Sequence, residues 1–294
     1  MIQFIRCHRL RRVALWIGGW ACAGALAGCY PSLPKDLASL EPLDACQPLN
    51  NAELLGKARH FYHQTDLFTL RCALGQLRGR TLSDIHKTAI PAKLCFLIAS
   101  RFANDPKQQE RLAAEGVRWA EIAQPDGGPQ GGEIQYYYAV NLGMVIRQHI
   151  TLAATRLSSL VKALESASKL APQVDWGGPW RVLGALYLMA PAWPQGMGDT
   201  EKALELLKKA VDQYPEHPQN HFYYAKALWE TDQDAGRGEA QKQLHQTELM
   251  LAQKDFSEVA DLWRKELKQF ADEIKVPISE PLSQPAAPSA RRKR

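Results

Sequence analysis

Apolar side chains recur at intervals of three and four residues along most of the chain between residues 51 and 275. This period is typical of amphipathic helices, and breaker-rich stretches such as DGGPQGG at 126–132 separate one helix from the next. The pattern predicts an all-α fold with helices over 52–63, 67–78, a stretch starting at Pro91, 106–123, 133–148, 151–170, around 180–187, around 203–210, 221–230, 239–253 and 256–275.

The best-formed helix pair, between residues 176 and 229, resembles a tetratricopeptide repeat (TPR) unit. Its first helix has the W-x2-L-G-x2-Y spacing, carried by Trp180, Leu183, Gly184 and Tyr187. Its second helix has small and apolar residues at intervals of four, seven and twelve, carried by Ala203, Leu207, Ala210 and Pro215. An insertion at 191–199 separates the two helices.

The same intervals recur elsewhere in the chain. They are found at Ala113, Val117, Ala120 and Pro125, at Leu160, Leu164, Ala167 and Pro172, and more weakly at Ala240, Leu244 and Thr247. Small residues let two helices approach closely, and the proline ends the second helix. We therefore predict an α-solenoid of about five TPR-like helix pairs with a C-terminal capping helix.

The N-terminus resembles a bacterial lipoprotein signal. Four arginines precede an uncharged, mostly apolar run at 13–27, which ends in the lipobox-like sequence Leu26-Ala27-Gly28-Cys29. The resemblance implies cleavage before Cys29 and acylation of its thiol, including a palmitate-type chain. Because Tyr30 rather than Asp follows the cysteine, the expected location is the periplasmic face of the outer membrane. The alternative is an ordinary secretory signal in which Cys29 is incidental.

These features divide the chain into four predicted regions: a signal peptide at 1–28, a lipidated tether at 29–50, the helical repeat domain at 51–275 and a disordered basic tail at 276–294. Eight of the 36 basic residues lie in the signal peptide and in the last four residues, 291–294, which leaves 28 basic against 31 acidic residues in the rest of the chain, a net charge of −3. The folded part therefore lacks the clustered basic surface that nucleic-acid binding requires.

Three cysteines remain in the predicted mature body, Cys46, Cys72 and Cys95. An oxidising periplasm favours one disulfide, but the spacing does not choose among the three pairings. Buried free thiols are the alternative.

No catalytic motif stands out. The pairs His60/His63 and His217/His221 have helical spacing but no third ligand, and we expect them to be solvated surface residues. GxSxG, HExxH and P-loop patterns do not occur. We expect a protein that is not an enzyme and has no metal or cofactor.

Two aromatic triplets, at 136–138 and 222–224, are stronger candidates for a binding surface. Consecutive helical residues point about 100° apart, so each triplet should turn at least one ring towards a concave surface or solvent. The alternative is that these rings fill the seams between helices.

The region from about 50 to 270 resembles the T-component (TatT) family, TPR-containing periplasmic lipoproteins of tripartite ATP-independent periplasmic (TRAP) transport. The resemblance rests on Gly178-Pro179, residues 181–184, the insertion at 190–194 with Gly198-Asp199, residues 215–220 and the aromatic helix start at 136–143. The chain departs from the family pattern at Ala192, where glycine is usual, and at Tyr138, where tryptophan is expected.

The resemblance implies a non-catalytic, membrane-anchored accessory that docks a periplasmic solute-binding protein or holds a hydrophobic solute. Candidate binding residues are Tyr136, Tyr137, Tyr138, Asn141, Arg181, Trp193, Asn220 and Tyr223. We expect Arg181, Trp193 and Asn220 at the surface or in a groove, with Arg181 available to pair with Asp199. The alternative function is an envelope assembly scaffold that grips a peptide or protein in an open groove, and a homo-oligomer is left open. An apolar enclosed cavity would favour the first function, and a polar open groove the second.

Overall fold

The computed structural model describes residue 33 and residues 47–102, 105–124, 127–147, 149–191, 196–231 and 234–276. Eleven α-helices lie within these ranges. They are α1 Asn51–Ala58, α2 Leu67–Arg78, α3 Ile90–Ala99, α4 Pro106–Ala123, α5 Pro129–Ile146, α6 Ile150–Leu170, α7 Gly178–Met189, α8 Thr200–Gln213, α9 Pro218–Thr231, α10 Arg237–Leu251 and α11 Ala260–Ile274. Short 3-10 helices occupy Asp84–Lys87 and Lys254–Phe256. The predicted all-α class is confirmed for the described residues.

Side chains at the helix starts explain where many of these helices begin. Asn50, Asp66, Asp105 and Asp199 each accept a hydrogen bond from a backbone N–H in the first turn of α1, α2, α4 and α8. Such caps satisfy amide groups that have no partner within the helix. Prolines in the first turn of α3, α4, α5 and α7 fit there because the first amides need no intrahelical partner.

The helices pack in sequence order. Each helix from α2 to α11 contacts the next one, and α3, α5, α7 and α9 also contact one another in that order. Helices α3, α5, α7 and α9 therefore form a continuous layer. Buried apolar side chains divide into two clusters, one built mainly from α1 to α7 and the other mainly from α7 to α11.

Two differences between the predicted and observed helix bounds affect the interior. Helix α1 ends at Ala58 instead of residue 63, so the chain turns before His63. The predicted helix at 256–275 starts only at Ala260, because a 3-10 turn ending at Phe256 precedes it. Both irregular segments supply side chains to the interior described below.

The segment between α1 and α2 lies against α11 and the 3-10 turn that precedes it. The ring of His63 lies 5.0 Å from that of Trp263 and 6.4 Å from that of Phe256, measured between centroids. Nearby, Arg101 lies 3.7 Å from Glu258. These contacts bring the segment between α1 and α2 against α11, so the inner side of the layer is covered.

Several predicted features lie outside the described residues: Cys29 with the signal peptide, Trp193 in the insertion and the basic tail. Cys72 is disulfide-bonded, whereas Cys95 is a buried free thiol. The two pairings that include Cys95 are therefore excluded, and Cys46 lies outside the described residues. None of the helices in the described ranges has the length and apolar character needed to cross a membrane.

Candidate functional site

An internal cavity runs between the helix layer and α11. Its wall comes from α3, α5, α6, α7, α9 and α11 together with His63, and it is mostly apolar. About 50 Å³ is open to the centre of a water-sized molecule. Since one water needs roughly 10–15 Å³ by this measure, the cavity has room for about four waters or an apolar group of similar size.

Helix α5 defines the length of the cavity. The residues that it contributes recur at helical spacing on one face: Tyr136, Ala139, Val140, Gly143, Met144 and Arg147. Eleven residues separate the first from the last, which corresponds to roughly 16 Å along the helix axis. Tyr136 therefore lies at one end of the cavity, called the inner end below, and the half-buried Arg147 lies at the other.

Asp175 organises the inner end. One carboxylate oxygen lies 3.2 Å from Nε2 of His63, and the other accepts a hydrogen bond from the Tyr136 hydroxyl at 2.6 Å. The second oxygen also pairs with the Arg181 guanidinium. Asp175 is 6% exposed and Arg181 3%, so this is a buried ion pair with most of its hydrogen bonds satisfied internally.

The surroundings shift the pKa values of three side chains at this end, those of Asp175, Tyr136 and His217. Burial alone would raise the pKa of Asp175, but the Arg181 guanidinium and His63 hold it well below its usual range. Burial raises the pKa of the Tyr136 hydroxyl, and the Asp175 carboxylate adds to that shift. Burial, with Arg181 as the next cause, lowers the pKa of His217 well below its usual value. At neutral pH the inner end therefore holds an ionised Asp175, a neutral Tyr136 and a neutral His217.

A strained turn points Asp175 into the cavity. Asp175, Trp176 and Gly177 all have left-handed backbone angles, with φ of 51°, 49° and 77°. For the two residues that are not glycine, such angles cost of order 1–3 kcal/mol each. Arg181 offsets this cost by donating to the carbonyls of Asp175 at 3.1 Å and Trp176 at 3.3 Å.

Asn220, which lies on α9, stabilises the same turn. Its amide donates to the Trp176 carbonyl at 3.0 Å, and its side-chain oxygen accepts from Arg181 at 2.8 Å. Gly178 is needed because a Cβ there would lie 2.6 Å from the Tyr136 hydroxyl oxygen. Arg181, Asn220 and Gly178 thus position the cluster.

Four rings pack together beside the inner end, those of His63, His217, Phe256 and Trp263, and of these His63 and Trp263 line the cavity. Every pair of their centroids lies between 5.0 and 6.4 Å apart. A second cavity, with about 160 Å³ open to a water-sized molecule, lies against His63, Phe256, Tyr62 and Trp176. His63 is therefore part of the wall of both cavities.

His63, Asp175 and His217 offer potential ligand atoms within 4.8 Å of one another, but they do not fit a metal ion. Nδ1 of His217 accepts from the backbone N–H of Gln219 at 3.3 Å. A neutral imidazole that accepts at Nδ1 carries its proton on Nε2, so that nitrogen is not a free ligand. Both Asp175 oxygens are already engaged, one of them by a cation. No metal-dependent step is derived from this cluster.

The aromatic triplets divide between cavity and seam. Tyr136 and Tyr223 line the cavity, whereas Tyr137 is buried without lining it and Tyr138 is half-buried. Asn141 is fully buried and donates to the carbonyls of Ala92 and Tyr137, so it joins α3 to α5. Its observed contacts are structural.

The expected pairing of Arg181 with Asp199 is wrong. Arg181 lies in the first turn of α7, whereas the Asp199 amide donates to the carbonyl of Tyr187 near the other end of that helix. Asp199 instead caps α8 by accepting from the backbone N–H of Lys202 at 2.9 Å. The expectation that Asn220 lies at the surface or in a groove is also wrong, because it is fully buried and does not line the cavity.

The expectation that the paired histidines are solvated surface residues is wrong for three of the four. Only His60 of the two sequence pairs is exposed, whereas His63, His217 and His221 are at most 5% exposed. His221 bridges Gln243 and the Pro215 carbonyl. The early end of α1 and the closure against α11 carry His63 inside, and helical spacing alone shows neither.

Sequence reasoning missed five residues of the inner end: His63, Asp175, His217, Gln219 and Trp263. They come from four segments that only the closed arrangement brings together. Asp175 alone had a local signal, because the acidic residue before Trp176-Gly177-Gly178 marks a tight turn into α7.

The fold and cavity define an all-α protein of serially packed helices with a mainly apolar interior chamber. No protein-family model matches the chain, and no curated protein matches it.

Proposed function

We propose that this protein is a non-catalytic, TPR-like α-solenoid lipoprotein that binds a small apolar solute in its interior cavity. In this proposal it acts on the periplasmic face of the outer membrane, anchored through Cys29. Its role resembles that of a TRAP transporter T-component, an accessory that works with a periplasmic solute-binding protein.

The packing of α7 against α8 supports the TPR-like interpretation. Gly184 occupies a close approach, since a Cβ there would lie 2.7 Å from Leu207. The small residues Ala203 and Ala210 are fully buried on the facing side of α8. These residues hold the motif positions predicted for the repeat, and the other helices also contact their neighbours in sequence order, as a helical repeat array requires.

The interior cavity is the observation that carries the binding function. In an open solenoid the inner layer of helices forms a groove, but here contacts of His63 with Phe256 and Trp263 cover it. The remaining space is lined by side chains such as Met144, Leu160 and Leu186. Such a space suits an apolar small molecule better than an extended peptide, which needs polar partners for its backbone.

The inner end also supports a non-catalytic role. Asp175, its only carboxylate among the described lining residues, is held in an ion pair and two further hydrogen bonds. A general base must be within reach of a substrate proton and near its operating pKa. The pKa of Asp175 is far below neutrality, and its oxygens are occupied.

The test is to purify the lipidated protein from bacterial envelopes after crosslinking and to identify both proteins and small molecules by mass spectrometry. The proposal predicts a solute-binding protein among the partners and an apolar molecule in the solvent extract. A matched variant, Gly143→Leu, should lose the small molecule and keep the partner. A Cβ at this cavity-lining position would contact only Leu160, at 3.5 Å.

Recovery of secretion or peptidoglycan machinery, with nothing apolar in the extract, would contradict the transport role. That outcome would support the alternative, an envelope assembly scaffold.

A further inference from the structure

Three polar atoms of the cavity wall have no hydrogen-bond partner in the described part of the chain. They are Nε2 of Gln219, Nε1 of Trp263 and Nδ1 of His63. The side chains are between 4% and 6% exposed, and all three line the same cavity. Buried polar atoms in native proteins are nearly always satisfied, and a molecule bound in the cavity that all three side chains line could satisfy them together.

The three atoms have a defined donor and acceptor pattern. The amide nitrogen of Gln219 and the indole nitrogen of Trp263 are donors only. His63 presents Nε2 to the Asp175 carboxylate, which can only accept, so Nε2 carries the proton. In neutral His63, Nδ1 is then an acceptor. With His63 neutral, a single partner for all three atoms accepts two hydrogen bonds and donates one.

The charge at this end favours an uncharged partner. The charges of Asp175 and Arg181 cancel within their ion pair. The next cation that lines the cavity, Arg147, lies roughly 16 Å away along α5, where Glu266 acts on it electrostatically. A carboxylate at the inner end would lack a donor for His63 and would lie close to Asp175. An ammonium group would offer no acceptor to the two N–H groups.

We propose that the inner end of the cavity binds the hydroxyl group of a small apolar molecule. The hydroxyl oxygen accepts from Trp263 and Gln219, and its O–H donates to Nδ1 of His63. The apolar remainder lies along the α5 face beside Val140, Gly143 and Met144. This inference rests on the proposed solute-binding function and specifies the chemistry of the solute.

The cavity volume sets the size of the probe. The cavity has room for about four water molecules and extends roughly 16 Å along α5, so the probe is a short linear chain of about six heavy atoms. Pentanol, pentanoate and pentylammonium share one chain length and differ in the charge of the head group. At about pH 8 the carboxylate and the amine are both ionised. The full chain in lipid nanodiscs is titrated with each probe by saturation-transfer NMR, with empty nanodiscs subtracted.

We expect pentanol to bind at least about tenfold more tightly than either ion, because a buried charge without a partner is strongly disfavoured. Trp263→Phe and Gln219→Met each remove one donor and should weaken pentanol binding by about three- to tenfold. Trp229→Phe, a half-buried tryptophan of α9 outside the cavity wall, should leave it unchanged.

Two results would overturn the inference while leaving a solute-binding function in place: equal or tighter binding of pentanoate or pentylammonium, or pentanol binding that neither cavity variant changes. If no probe binds, the three atoms are satisfied by water only, and the inference fails. Recovery of an apolar solute from envelopes would then still support the proposed function on its own.

Discussion

Replacing Asp175 with asparagine tests whether this carboxylate organises the inner end of the cavity. Asparagine keeps the size of the side chain and tolerates the left-handed backbone at this position, so the main change is the lost charge. Arg181 would lose the carboxylate with which it forms its ion pair in the described structure. Removing one partner of a buried pair costs about 3–5 kcal/mol.

The double variant distinguishes the free energy of the ion pair from the effects of changing each side chain alone. Arg181→Met leaves a buried carboxylate without its cation and should cost a similar amount, about 3–5 kcal/mol. Asp175→Asn with Arg181→Met removes both charges, so we expect a loss close to that of one single variant. The coupling energy should be at least about 2 kcal/mol.

The assay is urea unfolding followed by circular dichroism on the chain from residue 30 onward, which keeps all described residues. Asp212→Asn, in the exposed pair with Lys208, is the matched control and should leave the unfolding free energy unchanged. If the losses of the two single variants add in the double variant within about 0.5 kcal/mol, the ion pair is not what organises this end.

The same variants predict a pH dependence. The folded pKa of Asp175 lies below its unfolded value, so its contribution to stability is present above about pH 4 and is lost as the pH falls further. Wild-type protein should therefore lose stability more steeply below about pH 4 than Asp175→Asn. Equal slopes would contradict the assignment.

Three further predictions concern single side chains. The pKa of His217 is lower in the folded state than in the unfolded state, so this group alone should lower the wild-type unfolding free energy by about 1.4 kcal/mol for each pH unit of acidification below about pH 6.5. In urea unfolding at several pH values, His217→Asn should remove this slope, whereas the control His60→Asn, at an exposed position, should keep it. Burial lowers the pKa of Lys93 to about 8, so Lys93→Met should stabilise the fold by about 1–3 kcal/mol at neutral pH. This gain should shrink between about pH 8 and 10, because the wild-type amine loses its proton there. A constant gain across that range would refute this reasoning. Gly178→Ala should destabilise by about 1–3 kcal/mol because its Cβ meets the tyrosine hydroxyl of the cluster, whereas Gly238→Ala, with open space in α10, should stabilise by about 0.5–1 kcal/mol; thermal unfolding that ranks these two variants in the opposite order would contradict the packing described.

Much of the helical framework could be predicted because it depends on local signals. Three- and four-residue periodicity, prolines in first turns and small residues at fixed intervals each act within one or two helices. The end of α1 was missed because nothing in residues 59–63 breaks a helix by itself. His63 leaves the helical path to reach the interior, where its contacts are made by residues distant in the chain.

The candidate site could be predicted only in part. Of the four tyrosines that the aromatic triplets offered as candidates, Tyr136 and Tyr223 line the cavity, and Tyr137 and Tyr138 do not. The prediction for Arg181 failed because it paired the guanidinium with Asp199 in the insertion, whereas the left-handed turn places the Asp175 carboxylate against it. His217, Gln219 and Trp263 carry no motif, and their roles follow from the contact of α11 with the segment between α1 and α2.

The most direct test of the central claim is a crystal of the protein under xenon pressure, because xenon occupies apolar cavities without needing polar partners. We predict xenon density between α5 and α7, beside Gly143 and Leu186, and its absence from a Gly143→Leu crystal in which the new side chain fills that space. Ordered water without xenon in the wild-type cavity, or equal xenon density in both crystals, would contradict an apolar solute-binding chamber.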